Sequence, residues 1–331
     1  MKEKQTRTKI DFSKSLESSS TGTRERESMK GKRFLSIPVF SVFLLLGFIY
    51  YVAVFVFIEN WVGLQSSAGS LNALIFTFLA SLCVFSFLVC VLTDPGGVPP
   101  AYVPDFEASE ASDQALMKSG TQLRQCAKCS AYKPPRAHHC RSCRRCILRM
   151  DHHCMWINNC VGHRNYKAFV VLVFYAAMSS LYSAVVTICC TIEKDWNYSG
   201  SGPLKLFYIV CGVMTVGLFL TLGTLLGWHI FLISHNMTTI ERYDVIRAAW
   251  LARKSGQSYR HPFDVGVYKN ITLVFFPSNS VLACVCVSKK HSHVYLPHGS
   301  RSNTFWTCSD MLKYASTFII MFFLGRPGDR M

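Results

Sequence analysis

CAKCSAYKPPRAHHCRSCRRCILRMDHHCMWINNC, residues 126–160, packs seven cysteines and four histidines into 35 positions. Cys126-x2-Cys129 and Cys140-x2-Cys143-x2-Cys146 carry the two-residue gap of a metal knuckle, a turn that lets two thiolates reach one tetrahedral ion. A cluster of buried structural cysteines would need apolar neighbours. Here the intervening residues include Lys128, Arg136, Arg141, Arg144 and Arg145, too polar for a core. Such a segment needs metal to fold.

The surroundings of this block decide the fold. The chain has 331 residues, 50% of them hydrophobic, and a formal net charge of +16. The apolar residues gather in four uncharged runs, Ile37–Phe57, Leu71–Leu92, Ala168–Thr191 and Leu206–Ser234. Each reaches the ~20 residues that a helix needs to cross hydrocarbon. About thirty polar and charged residues precede the first run, which argues against a signal peptide. Basic residues set the orientation. Residues 1–36, 93–167 and 235–331 hold ten, eleven and twelve Lys and Arg, whereas loops 58–70 and 192–205 hold none and two. Both termini and the 93–167 loop are therefore placed in the cytosol. The positive charge reads as topology and attraction to anionic lipid. It is spread over three juxtamembrane segments, which argues against nucleic-acid binding.

Neither outward loop contains cysteine, and a cytosolic loop keeps its thiols reduced, so a disulfide framework is not expected. The domain reading follows. Residues 1–36 form a basic disordered tail, 37–92 the first two transmembrane helices, and 93–167 the cytosolic loop with its cysteine-rich zinc domain at 126–160. Residues 168–234 form helices three and four, and 235–331 a cytosolic tail. The linker 97–125 has room for one short helix. The apolar stretch Tyr314–Gly325 is too short to span and reads as an interfacial or packed helix. Asn197 matches a glycosylation acceptor on the outer side, while Asn236 and Asn270 match on the cytosolic side and are expected to be silent. No repeat of domain size is visible.

Counting ligands sharpens the metal reading. Tetrahedral structural zinc takes four ligands, so two ions need eight. The block offers Cys126, Cys129, Cys140, Cys143, Cys146, Cys154 and Cys160, with His138, His139, His152, His153 and nearby His163. Six cysteines and two histidines close two Cys3His sites and leave one thiol over. Cys154 alone follows an acid and two histidines, Asp151-His152-His153, which is what a nucleophilic cysteine needs: a base, and a partner that fixes the base's tautomer. Adjacent side chains diverge, so the two histidines can serve two centres. The expected fold is an all-α polytopic membrane protein, four transmembrane helices with a cytosolic two-zinc cysteine-rich domain between helices 2 and 3.

Cys126–Phe169, with Asp151-His152-His153-Cys154 inside it, resembles the cysteine-rich domain of DHHC-type protein S-acyltransferases. The likeness continues through Trp156, Asn158-Asn159-Cys160-Val161-Gly162 and Asn165-Tyr166-Lys167. Asp94-Pro95-Gly96 resembles the family's DPG motif, Thr238-Thr239-Ile240-Glu241 its TTxE motif, and Gly266 with Asn270 part of its C-terminal element. Met155 stands where most members have proline, and Phe275 and Phe276 replace an expected small residue. The resemblance implies a two-step reaction. Cys154 takes a long-chain acyl group from acyl-CoA as a thioester and passes it to a cysteine of a substrate protein. His152 is then the base and Asp151 orients it. The resemblance also implies one zinc on Cys126, Cys129, His139 and Cys146, and another on Cys140, Cys143, His153 and Cys160. Its partners are palmitoyl-CoA, membrane-associated proteins with cytosolic cysteines, and the bilayer of an endomembrane (Golgi or ER) or the plasma membrane.

A fatty chain belongs in hydrocarbon and CoA in the cytosol, which puts the nucleophile at the cytosolic surface. Arg141, Arg144, Arg145, Arg149, Arg164 and Lys167 lie close enough in sequence to meet CoA phosphates. Ala176, Ala177, Ser179 and Ser180 in the third span leave room for an acyl chain. A non-catalytic zinc scaffold is the first rival, but it has no use for Asp151, His152 and Cys154 together. A transporter is the second. Its path would carry ionisable groups inside the membrane, and the four runs hold only His229, which reads as a structural hydrogen-bonding group.

Overall fold

The computed structural model describes residues 36–99, 102–103, 124–194 and 202–275. The N-terminal tail, most of the 97–125 linker, Asn197, Phe276, the tail cysteines Cys284, Cys286 and Cys308, and Tyr314–Gly325 lie outside the described residues. Four helices are long and apolar enough to span a membrane: α1 (Ile37–Trp61), α2 (Ser67–Leu92), α3 (Tyr166–Glu193) and α4 (Gly202–Ser234). The chain is a multi-pass membrane protein. Each helix runs past its uncharged run by between two and four residues at one or both ends. Capping explains one such extension: the Ser66 hydroxyl accepts from Gly69 N–H at 2.9 Å and starts α2 four residues before Leu71. Such a cap satisfies one of the unpaired amides at a helix start.

The central helix is α3, with half of its apolar window buried against the rest of the bundle. Val52–Ile58 in α1 winds as a π-helix. Just before it, Tyr50 stacks on Phe76 of α2, and Phe76 stacks on Tyr182 of α3. Tyr208 of α4 meets Phe57 edge-on at 5.0 Å. Lipid tails are as apolar as leucine, so close packing of such side chains, more than burial from water, holds the helices together.

Between α2 and α3 the chain forms three antiparallel hairpins. These are β1 (Gln125–Cys126) with β2 (Ala131–Tyr132), β3 (His138–Cys140) with β4 (Arg145–Ile147), and β5 (His152–Cys154) with β6 (Asn159–Val161). The fold is mostly helical, and the hairpins are an addition that the sequence did not announce. Strands of two or three residues are too short to show a period. After α4 come two short helices, α5 (Thr239–Lys254) and α6 (Val267–Phe275).

The cysteine-rich domain is joined to the bundle at defined points. Asn159 Nδ2 donates to the carbonyls of Cys90 at 3.1 Å and Thr93 at 2.8 Å, closing the C-terminus of α2. Asp94 then accepts from Gly96 N–H and from Arg145, both at 2.8 Å, which ties the chain after α2 to the second hairpin. Gly162 is obligatory at the crossing: a Cβ there would lie 2.6 Å from Ile147 Cγ2 and 2.9 Å from Pro95 O. Ile157 and Val161 of the third hairpin share one core with Phe87 and Val91 of α2, Phe169 and Val173 of α3, Ile233 of α4 and Val274 of α6. The third hairpin is thus seated against one end of the bundle.

Candidate active site and metal clusters

The hairpin registers separate the ligands. Side chains alternate along a strand, so His153 in β5 faces away from His152 and Cys154, and His139 in β3 faces away from His138 and Cys140. Pairing sets His139 opposite Cys146 and His153 opposite Cys160. Cys126, Cys129, His139 and Cys146 therefore meet in one cluster, and Cys140, Cys143, His153 and Cys160 in another, with the ligand atoms of each within 4.8 Å of one another.

The spacings fit a tetrahedral ion. Zinc–sulfur and zinc–nitrogen bonds of ~2.3 and ~2.0 Å set tetrahedral edges of about 3.8 Å between sulfurs and about 3.5 Å between sulfur and nitrogen. In the first cluster Cys129 and Cys146 Sγ are 3.8 Å apart, and His139 Nδ1 is 3.5, 3.2 and 3.8 Å from the sulfurs of Cys126, Cys129 and Cys146. In the second, Cys143 and Cys160 Sγ are 3.4 Å apart, and His153 Nδ1 is 3.6 Å from all three sulfurs. Both clusters could hold a metal ion through a Cys3His set.

Cys154 belongs to neither cluster. It is half-buried beside the core that Ile157 and Phe169 share. Its partner is His152, whose Nδ1 donates to Asp151 Oδ2 at 2.7 Å. Asp151 is 1% exposed and fully paired, for Thr239 donates to it through both its backbone N–H and its hydroxyl, each at 2.9 Å. Burial disfavours its charge, yet the hydrogen bond and charge of His152 hold the carboxyl below the usual carboxylate range. Burial likewise opposes a charged His152, but its bonds to Asp151 and Cys154 push it up to about 10. Burial raises the Cys154 thiol, and the hydrogen bond and charge of His152 bring it below its ordinary value. Backbone amides of Ile157 and Trp156 also donate to the sulfur. Both shifts run in the same sense, favouring a thiolate on Cys154 and a proton on His152.

Residues distant in sequence support this site. Thr238 and Glu241 form a reciprocal capping box at the start of α5, which fixes the Thr239 amide toward Asp151. Glu241 takes a two-pronged bond from Arg136 at 2.6 and 2.8 Å, and Arg136 lies over the Phe263 ring at 4.4 Å. Asn270 donates to Ser234 O and Asp264, both at 2.7 Å, and so holds α6 against the end of α4. His229 Nδ1 and Tyr166 Oη are 3.1 Å apart, the structural role expected of that histidine, and its ring is 6.2 Å from that of His152. No sequence signal linked Thr239 or Arg136 to their partners, which lie 88 and 105 positions away along the chain.

Of the six basic residues expected near CoA, Arg145 and Arg149 are engaged with Asp94 and Asn236, and Lys167 donates to Phe275 O. Arg141, Arg144 and Arg164 are exposed. In α3, Ala177, Ser179 and Ser180 are buried; Ser180 bonds Ala176 O, whereas Ser179 Oγ has no hydrogen-bond partner among the described residues.

The sequence also carries a recurrence much shorter than a domain. The first cluster has the spacing C-x2-C-x9-H-x6-C, and the second repeats it 14 residues later. The same step relates Cys126, Cys140 and Cys154, and also the turn residues Ser130, Arg144 and Asn158, whose φ values are 50°, 53° and 44°.

Residues 119–245 match the DHHC palmitoyltransferase family. Probable protein S-acyltransferase 15 of Arabidopsis thaliana is 62% identical over 233 residues, which cover 70% of this chain and 90% of that protein. The chain belongs to the DHHC palmitoyltransferase family. Probable protein S-acyltransferase 16 of the same plant is 48% identical over 79% of this chain and 91% of its own. Human palmitoyltransferase ZDHHC3 is 33% identical over 59% of this chain and 68% of its own. The hairpins, the two Cys3His clusters and the Asp151–His152–Cys154 line all fall inside the segment matched by the DHHC family.

Proposed function

We propose that this DHHC-family chain is a protein S-acyltransferase that carries palmitate, or another long acyl group, from acyl-CoA to cysteines of substrate proteins through a thioester on Cys154. Family membership and 62% identity to a plant protein S-acyltransferase support the activity. The observation that carries the assignment of residues is the line Asp151–His152–Cys154 beside, but outside, two complete Cys3His clusters.

In this reading the Cys154 thiolate attacks the thioester carbonyl of acyl-CoA, and CoA leaves as a thiolate that takes the proton held on His152. His152 then accepts the proton of the incoming substrate thiol, which attacks the acyl-enzyme and releases Cys154. Asp151, fixed by Thr239, keeps the imidazole in one tautomer and stabilises its charge. Cys126, Cys129, His139 and Cys146 would hold one zinc, and Cys140, Cys143, His153 and Cys160 the other. Bound there, the ions would supply folding free energy, and the two ligand sets would fix the hairpins that carry Cys154.

Placement supports the same reading. Cys154 packs against a core formed by all four membrane helices, where an acyl chain would leave water while CoA stays outside. Buried Ser179 marks the part of α3 that we assign to the far end of the acyl chain. The distribution of basic residues supports cytosolic termini and a cytosolic active site in an endomembrane or plasma membrane. Substrates are then membrane-associated proteins with cytosolic cysteines.

The test is intact-mass spectrometry of the purified protein after palmitoyl-CoA treatment, with the acyl group mapped. One thioester on Cys154, lost on hydroxylamine treatment and passed to a cysteine peptide, is expected. Acylation confined to other cysteines would contradict the assignment.

A further inference from the structure

The three hairpins are three copies of one unit. Each has a strand ending in cysteine, four turn residues, and a return strand, and the pairing is the same in each: Cys126 with Ala131, Cys140 with Arg145, Cys154 with Asn159. The last turn residue adopts positive φ in all three, at Ser130, Arg144 and Asn158. Backbone amides donate to the first cysteine's sulfur in each copy. Those of Lys128 and Cys129 do so at Cys126, that of Cys143 at Cys140 (3.3 Å), and those of Trp156 and Ile157 at Cys154.

Within the turn itself the copies differ at one place that matters for metal. Position three after the first cysteine is Cys129 in the first copy and Cys143 in the second, and both join a cluster. In the third copy it is Ile157, 1% exposed and packed in the core shared with the membrane helices. Each cluster is completed by the histidine and cysteine of the following hairpin. Counting on by 14 residues from His153 and Cys160 gives Lys167 and Phe174, both in α3 and neither a ligand. Yet His152 lies against Cys154, so two soft-metal ligands already converge there.

We propose that the third hairpin is a metal knuckle disarmed at position 157: Ile157 fills the place of the second thiolate, keeps divalent metal off Cys154, and leaves that thiolate to the acyl group. Ile157 acts as a positioning residue, and the proposal rests on the assignment of Cys154 as the nucleophile only for its consequence in catalysis. A thiolate held by knuckle amides beside an imidazole has high affinity for zinc once a second thiolate is present. A Cys2His set with one open position is a known catalytic zinc arrangement. Isoleucine offers no lone pair, and its burial excludes the water that would otherwise fill the fourth position.

The test uses the full-length protein in detergent and compares Ile157→Cys with Ile157→Ser, which matches cysteine in size but is a poor zinc ligand. Metal per chain is measured by mass spectrometry, beside autoacylation. The expected result is a third equivalent of zinc in Ile157→Cys and two in Ile157→Ser and the parent. Ile157→Cys should lose most of its autoacylation and recover it when a mild chelator strips the weaker site. If a thiol in that pocket prevents folding, Ile157→His, nearer to isoleucine in volume, brings a ligand to the same place and carries the same expectation. Two equivalents of metal in the folded ligand variants, with acylation equal to Ile157→Ser, would overturn the proposal. A third equivalent of metal in a protein whose parent forms no acyl-Cys154 would uphold the knuckle and overturn the catalytic reading instead.

Discussion

The second and third hairpins share a backbone and the triplet His-His-Cys, yet the sulfur of Cys140 lies in a metal cluster and that of Cys154 does not. Two further differences separate them. Before the triplet stands Ala137 in one and Asp151 in the other; after the cysteine stands Cys143 in one and Ile157 in the other. The flanking histidines diverge accordingly. Burial and the nearby Arg124 hold His138 below its ordinary pKa, whereas Asp151 and Cys154 push His152 up to about 10. The scaffold stabilises a thiolate in every copy. In the proposed reading, the second ligand and the carboxylate decide whether that thiolate meets a metal ion or an acyl carbon.

The comparison breaks most visibly at the proposed nucleophile. Cys154→Ala removes no ligand, so it is expected to keep two metal ions and to abolish acylation; loss of an ion, read by metal analysis, would mean that the third hairpin holds metal after all. Both hairpins are also tied to α5, the second through the Arg136–Glu241 pair and the third through Asp151–Thr239. Arg136→Met strands a buried carboxylate, and removing one partner of such a pair costs ~3–5 kcal/mol. A lower melting temperature in detergent checks this, and an unchanged one would show that α5 is held by other contacts. Thr239→Val keeps the backbone bond to Asp151 and loses the hydroxyl bond. A hydrogen bond of about 1 kcal/mol corresponds to roughly a fivefold slower acylation, measured by single-turnover transfer from palmitoyl-CoA with metal content unchanged. The smallest effect is expected at the first turn position, which holds Ala127, Arg141 and Met155 in the three copies. Met155→Pro rigidifies a turn that already forms without proline, a change worth less than ~1 kcal/mol, and is expected to leave acylation within about twofold of the parent.

Much of this architecture was legible in the sequence, for reasons that differ by region. The four spans announce themselves because hydrocarbon tolerates so few charges, and only their ends moved. Lys205 marked an edge that the helix in fact extends beyond, to Gly202. Ligand parity asked for one thiol to spare, and the structure leaves Cys154 outside both clusters. The eight residues named for metal are brought together in the two groups that the family resemblance implied. The hairpins were not legible, since strands of three residues carry no period, and neither was the clasp from Thr239 to Asp151, which only tertiary folding creates. The 14-residue recurrence is visible in the sequence, but its unit is a single turn of metal ligands and not a domain.

The division of labour between His152 and His153 is the centre of the account, and metal content measured beside acylation in their alanine variants tests it most directly. His152→Ala is expected to retain two ions and to form acyl-enzyme ~10²–10⁴ more slowly, the usual cost of losing a general base. His153→Ala is expected to lose an ion and, with it, the ordered hairpins on which acylation depends. Loss of metal from His152→Ala with both ions retained in His153→Ala would contradict the assignment and exchange the two roles.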